Sequence, residues 1–217
     1  MLPKYFGILP KADLVVKRVE PFREQKGAAQ HYFPGTPDGS RPGVYYAHLS
    51  EMTAMPKAEL EAIAYHEGLP GHHMQLAIAQ ELTTVPTFRR QAGFAAYSEG
   101  WGLYSEWLAR EMPSTYQDPY SRFGRLGSEI WRAIGLVVDT GLHAKGWSEE
   151  QAVQYFLAIH GEDLSLKIFP VDLPALHASL WLSTDRVCTP VRYAARAASD
   201  RSRHRGGSRS RSARPGR

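Results

Sequence analysis

Cysteine is almost absent from this sequence. Its 217 residues include one, Cys188, so the chain can form neither an internal disulfide nor a metal site built on cysteine. Any metal ion must therefore be held by histidine and carboxylate side chains. Long apolar stretches are also lacking, since no run approaches the roughly 18 residues that a membrane-spanning helix needs. The sequence therefore predicts no membrane span.

The start of the sequence lacks the features of a signal peptide. A lysine and a proline, Lys4 and Pro10, stand where the apolar stretch of such a peptide would be needed. From this chain alone we expect a soluble protein without a secretion signal. Its content of 43% hydrophobic residues is enough for a folded core and excludes the disordered and collagen-like classes for the body of the chain.

The positive charge is concentrated at one end. The formal net charge is +4, but residues 186–217 contain ten arginines and one acidic residue, a local charge of +9, which leaves −5 for residues 1–185. This Arg/Ser-rich tail has little to bury and is predicted to be disordered. It could bind nucleic acid nonspecifically through phosphate charge. We favour a different origin, a shifted reading frame in a GC-rich gene, so nucleic acid is not an expected partner of the body.

Turn residues dominate the first fifty positions. Asp38-Gly39 can turn a β-hairpin from residues 30–33 into a strand at residues 44–49, which has aromatic and β-branched residues. Helical spacing then predicts helices over about 57–67, 72–82 and 87–111, a further helix marked by apolar residues 126–142, and a last one that ends at Ile159. Ser148 and Gln151 form a capping-box pattern at the start of that last helix. The predicted fold is mainly α with a small β-hairpin or edge sheet.

The candidate chemistry lies in one segment. His66-Glu67 is followed by Pro70-Gly71-His72-His73, and Glu99 comes 26 residues after His73. Histidine and glutamate suit a zinc ion, and a hydrolytic zinc site has three protein ligands with one open position. On a straight helix, however, His66 and His72 would be turned by about 240° from each other, and His66 and His73 would stand about 10.5 Å apart. A shared ion therefore requires a break at Pro70-Gly71, which could bring back either His72 or His73.

These motifs resemble a known family. The resemblance rests on four segments and their order: residues 38–43, His66-Glu67-x-x-Pro70-Gly71-His72-His73-x-Gln75, Ser98-Glu99-Gly100-Trp101, and residues 139–143. They are similar to the bacterial proteins called "domain of unknown function 885". Those proteins are themselves similar to thermolysin-like (gluzincin-type) zinc peptidases. The resemblance covers roughly residues 3 to 165. It implies that His66, His72 and Glu99 hold one Zn²⁺ per chain and that Glu67 is the general base. It also implies that this chain corresponds to a C-terminal portion of a longer protein, the catalytic half of a zincin-like fold.

The resemblance implies a hydrolase of peptide or amide bonds. On this interpretation the strand residues Tyr45, Tyr46 and Ala47 pair with an extended substrate, and His143 is a candidate catalytic donor to the oxyanion. The residues considered as alternative ligands or as supporting partners of the ligands are His73, Tyr97 and Tyr104. The domain prediction is a partial zinc-hydrolase-like domain over 1–170, a segment over 171–185 in which the family pattern degrades, and the tail.

A truncated chain could bind the metal without efficient catalysis. The alternatives to an enzyme are therefore a noncatalytic metal-binding remnant or a basic-tailed nucleic-acid-binding protein. The sequence does not specify an oligomeric state.

Overall fold

A computed structural model of the chain describes residues 1–25, 28–50, 52 and 55–160. The predictions for residues 171–185 and for the tail at 186–217 lie outside these described residues. Within them the protein is mainly helical with a small sheet, as predicted. The strands are β1 (Leu14–Arg18), β2 (His31–Phe33) and β3 (Gly43–Ala47), and the α-helices are α1 (Leu60–Glu67), α2 (His72–Glu81), α3 (Thr87–Gln91), α4 (Ala95–Leu108), α5 (Pro119–Ala144) and α6 (Glu149–His160).

The sheet has three strands in the order β1-β3-β2. The predicted hairpin is confirmed, since β2 pairs with β3 in antiparallel register, His31 opposite Tyr46 and Phe33 opposite Val44. The sequence reasoning missed β1, which pairs with β3 in parallel, from Leu14 opposite Gly43 to Arg18 opposite Ala47.

This topology corrects the prediction of a substrate strand at Tyr45, Tyr46 and Ala47. β3 is the middle strand, and β1 and β2 pair with its two sides. Its backbone N–H and C=O groups are therefore used by its neighbours, and it offers no free edge to an added peptide. The edges of this sheet are β1 and β2.

The helix is interrupted between α1 and α2, as the Pro70-Gly71 pair predicted. α1 ends at Glu67 and α2 begins at His72. Gly71 is required by close packing, because a Cβ atom there would lie 1.9 Å from the carbonyl oxygen of His66. The turn is tied to the next long helix by the indole N–H of Trp101, which donates to the carbonyl of Pro70 at 2.9 Å.

The continuous helix predicted over residues 87–111 is wrong in its extent. The structure has the short α3, a break at residues 92–94, then α4, and a single 3₁₀ turn at Ala109–Glu111. Gly93 lies in the break, where its low helix propensity ends the helix more easily than the aromatic spacing can sustain it.

Two apolar clusters hold the helices together. Ile134 and Val138 of α5 pack against Ala152 and Phe156 of α6, and Trp131 contacts Phe156 edge to face. The second cluster joins α1 to the end of α4 through Ala62, Ala109 and Tyr116.

The capping box is confirmed, since the Ser148 N–H donates to Gln151 Oε1 and the Gln151 N–H donates to Ser148 Oγ. Within the described residues, no helix combines the length and the apolar character needed to cross a bilayer.

Candidate metal centre

Three side chains from three helices meet at one point. His66 comes from the end of α1, His72 from the start of α2 and Glu99 from the first turns of α4. One nitrogen from each histidine and one oxygen of the glutamate all lie within 4.8 Å of one another. The break between α1 and α2 is what allows this, because it turns His72 back beside His66, with ring centroids 4.6 Å apart and planes at 90°.

The spacing of these atoms fits a zinc ion. His66 Nε2 lies 3.4 Å and His72 Nε2 lies 3.6 Å from Glu99 Oε2. Zinc bonds of about 2.0 to 2.2 Å at tetrahedral angles put neighbouring ligand atoms roughly 3.4 Å apart. Two imidazole nitrogens and one carboxylate oxygen are also a donor set that suits zinc and leaves one position open.

The His66 ring lies over α4 between two carboxylates. Its Nε2 faces Glu99, and its Nδ1 is 2.7 Å from Oε1 of Glu106. Gly102 lies beneath the ring, since a Cβ atom there would be 2.5 Å from His66 Cε1 and 2.6 Å from Nε2. Glu99, Gly102 and Glu106 are spaced by three and four residues, so they share one face of the helix.

Glu106 is buried, with 1% of its surface exposed, although a glutamate on an amphipathic helix is ordinarily a solvated charge. Its carboxylate accepts hydrogen bonds from His66, from Nη2 of Arg132 at 2.9 Å and from Oγ of Ser128 at 2.9 Å. The spacing of seven residues from Glu99 was the signal that could have found it, because it puts the two carboxylates on the same helix face.

The Nδ1 atoms of both histidines lie near acceptors on the side away from Glu99. His66 Nδ1 meets an acceptor, Glu106, and His72 Nδ1 lies 3.4 Å from Oε1 of Gln75. A histidine that carries its proton on Nδ1 keeps the lone pair of Nε2 for a metal ion. Gln75 is itself held by Oγ of Ser98, which donates to Gln75 Oε1 at 3.3 Å.

His73 is packed in the core and does not face the cluster. It is 1% exposed, its Nδ1 lies 3.0 Å from the hydroxyl of Tyr32, and its Nε2 lies 3.1 Å from the carbonyl oxygen of Ala12. The carbonyl must accept, so Nε2 carries the proton and Nδ1 accepts from Tyr32. Burial lowers the pKa of His73, which favours this neutral form. With both nitrogens engaged, His73 belongs to the contact between α2 and the sheet.

The charges at the cluster are strongly coupled. Burial lowers the pKa of His66, but hydrogen bonds to Glu106 and Glu99 outweigh burial and raise the pKa to about 9. Burial raises the pKa of Glu99, yet hydrogen bonds from His66 and His72 outweigh it and hold that pKa below its usual range. A site that already favours positive charge on His66 is one where a cation can replace a proton.

Glu67 follows His66 directly and is buried, with 9% of its surface exposed. Burial raises its pKa, the charges of His66 and His72 oppose this, and the charge of Glu99 adds to it. These couplings place the Glu67 carboxyl group in the electrostatic field of the three candidate ligands. A buried carboxyl group with a raised pKa beside such a cluster is typical of a general base.

His143 is not one of the three side chains that converge. It belongs to α5, where its Nε2 is 3.3 Å from Oδ1 of the buried Asp139. Its role as a donor to the oxyanion stays a prediction.

Tyr97 and Tyr104 lie away from the ligands. On a helix they are turned by about 160° and 140° from Glu99, and their residues are 68% and 47% exposed. Tyr104 packs instead against Trp101 and Trp107 in an aromatic row along the outer side of α4. Neither side chain is directed at the candidate ligands, but the backbone carbonyl of Tyr97 accepts from Nε2 of Gln75, the partner of His72, at 3.5 Å.

The chain is similar to a family of known proteins and to a solved structure. Residues 1–165 match the family described as bacterial protein of unknown function, DUF885. This chain belongs to the DUF885 family. A similar solved structure is that of a candidate lipoprotein from Colwellia psychrerythraea, with 35% sequence identity and a TM-score of 0.70. The match covers 90% of this chain and 34% of that protein, so this DUF885 chain spans about a third of its relative's length. No curated protein matches the sequence significantly.

Proposed function

We propose that the protein holds one zinc ion through His66 Nε2, His72 Nε2 and Glu99 Oε2 and forms the catalytic part of a zinc-dependent hydrolase of peptide or amide bonds. The observation that carries the proposal is the convergence of these three atoms at the spacing of zinc ligands. The similarity of the motif to thermolysin-like zinc peptidases supports the class of reaction.

The residues around the cluster have separate roles in this proposal. When bound, zinc supplies Lewis-acid chemistry that polarises a carbonyl group and lowers the pKa of water from about 15.7 toward about 7. The Glu67 carboxylate takes a proton from the attacking water and passes it to the leaving amine. Because burial raises the pKa of Glu67, its carboxylate is a stronger proton acceptor than the carboxylate of an exposed glutamate would be.

The test combines metal content with hydrolysis by matched variants. The wild-type chain, stripped with a chelator and reloaded, should bind one zinc by elemental analysis and should cleave members of a fluorogenic peptide library. Glu67→Gln should keep the zinc and lose about 10²- to 10⁴-fold in rate, as expected when a general base is removed. Glu111→Gln removes an exposed carboxylate from the turn after α4 and should change neither quantity.

Three results would contradict the proposal in different ways. A wild-type chain without stoichiometric zinc would remove the metal site. Full hydrolytic activity in Glu67→Gln would remove the assigned base. Zinc binding by a wild-type chain that hydrolyses no peptide would leave a noncatalytic metal-binding protein.

A further inference from the structure

We propose that Glu106, anchored by Arg132 and Ser128, is a positioning residue that fixes the ring of His66 so that Nε2 faces the metal. This inference rests on the zinc site proposed above and adds a group that does not touch the ion. It follows from contacts that join α1, α4 and α5 beneath the cluster.

Both oxygens of the Glu106 carboxylate are used. Oε1 accepts from His66 Nδ1 at 2.7 Å and from Arg132 Nη2 at 2.9 Å, and Oε2 accepts from Ser128 Oγ at 2.9 Å. Arg132 also donates to the Ser128 carbonyl at 3.0 Å. A carboxylate that is 1% exposed is costly to bury unless it is paired and hydrogen-bonded. Here the partners leave it little freedom to turn away from His66.

The proton on His66 Nδ1 can be assigned from these contacts. Arg132 Nη2 lies 3.3 Å from His66 Nδ1, but a guanidinium group has no acceptor, so it cannot take that proton. Glu106 is the acceptor within reach, and its acceptance keeps the proton on Nδ1. Carboxylates that bind the second nitrogen of a metal-bound histidine fix its tautomer and make it a stronger ligand.

The ring is also prevented from rotating. Glu99 lies at its Nε2 end, Glu106 at its Nδ1 end, and the backbone of Gly102 beneath it. A flip of the imidazole would remove the hydrogen bond to Glu106 and turn a carbon toward the ion. A simple structural ion pair between Glu106 and Arg132 would not need the carboxylate to point at the histidine.

The experiment measures zinc affinity by competition with a chromogenic chelator, and the visible absorption of the Co²⁺-loaded protein. Glu106→Gln keeps the size of the side chain and removes its charge, and we expect zinc binding 10- to 100-fold weaker, with a changed Co²⁺ spectrum. Ser128→Ala removes one anchor of the carboxylate without touching His66, and it should cause a smaller loss in the same direction. Glu111→Gln is the matched control and should bind as the wild type does.

The outcomes separate this inference from the proposed function. If the wild type binds zinc and both Glu106→Gln and Ser128→Ala bind it within twofold with unchanged Co²⁺ spectra, the positioning role is overturned and the zinc site stands. A lower melting temperature with unchanged affinity and spectrum would assign Glu106 a purely structural role. Should Glu106→Gln fail to fold, Ser128→Ala decides the question. A wild type that binds no zinc would overturn both proposals.

Discussion

Two adjacent histidines at the start of α2 serve different parts of the molecule. Successive residues of a helix are turned by about 100°, so His72 and His73 cannot face the same neighbour. His72 faces Glu99 and His66, while His73 is enclosed by the Tyr32 hydroxyl and the Ala12 carbonyl. The two positions therefore separate the proposed metal binding from packing.

Substitution of these histidines should separate the two roles. His72→Gln should weaken zinc binding by more than roughly 100-fold, which is the upper loss expected when a residue that only hydrogen-bonds a ligand is replaced. The stability of the metal-free protein should change little. His73→Gln should keep zinc affinity and lower the free energy of unfolding by about 1–3 kcal/mol, because buried partners lose a hydrogen bond. Chelator competition and urea unfolding measure the two quantities. The reverse pattern, with affinity lost at His73, would exchange the two roles.

The resemblance to the family implied the cluster of His66, His72 and Glu99, which the structure brings together. Residue types and spacing alone left the choice between His72 and His73 open. That choice depends on where the sheet lies, because β2 supplies the Tyr32 hydroxyl that engages His73. The role of Glu106 was missed for a similar reason. A glutamate on an amphipathic helix has the same local sequence whether it faces water or a buried histidine, and the arginine that accompanies it is 26 residues away on another helix.

At the level of elements, the turn between α1 and α2 creates the site. It ends one helix after His66-Glu67 and starts the next at His72, which replaces the large separation of a straight helix with rings 4.6 Å apart. α4 holds this turn from the other side through the bond between Trp101 and the Pro70 carbonyl. The same helix carries Glu99, so one element fixes both a ligand and the turn that positions the others.

Removing this bond should loosen the turn. Trp101→Phe keeps an aromatic ring but leaves the Pro70 carbonyl without its donor, and we expect a loss of about 1–2 kcal/mol in the free energy of unfolding together with weaker zinc binding. Trp107→Phe, in the same helix but 42% exposed, is the control and should change both much less. Thermal unfolding and zinc titration of both variants provide the measurement. Equal effects from the two substitutions would argue against a specific role for the bond.

The elements themselves were partly predictable. The capping box at Ser148 and the hairpin at Asp38-Gly39 depend on residues close in sequence, and both are confirmed. β1 was missed because its parallel pairing joins Leu14 to Gly43 across the intervening β2. Local sequence patterns do not show such a distant partner. Because β1 was missed, β3 was taken for an edge strand that could pair with a substrate.

On the scale of the whole molecule, a large apolar surface remains exposed among the described residues. Phe123, Leu126 and Ile130 lie on one side of α5 and are 56%, 54% and 38% exposed. Val137 continues this side of the helix at 37%. Contiguous apolar surface of this kind marks a site of association or a risk of aggregation.

We therefore expect the purified chain to self-associate as its concentration rises. The double substitution Phe123→Gln with Ile130→Gln should reduce this association, because it makes the apolar side of α5 polar. Leu136→Gln is the control, since Leu136 is 55% exposed but lies on a different side of the helix. Sedimentation velocity over a range of concentrations measures the effect. A wild type that stays monomeric throughout, or a control that dissociates the protein equally, would refute this expectation.

The distribution of the cluster over separate helices also links the ion to folding. The candidate ligands come from α1, α2 and α4, and the support of His66 reaches α5 through Arg132 and Ser128. An unfolded chain cannot present these groups together, so zinc would bind the folded state alone and stabilise it by about 2.7 kcal/mol at a concentration 100 times its dissociation constant. The survival of this protein against proteolysis would then follow the supply of zinc in its surroundings.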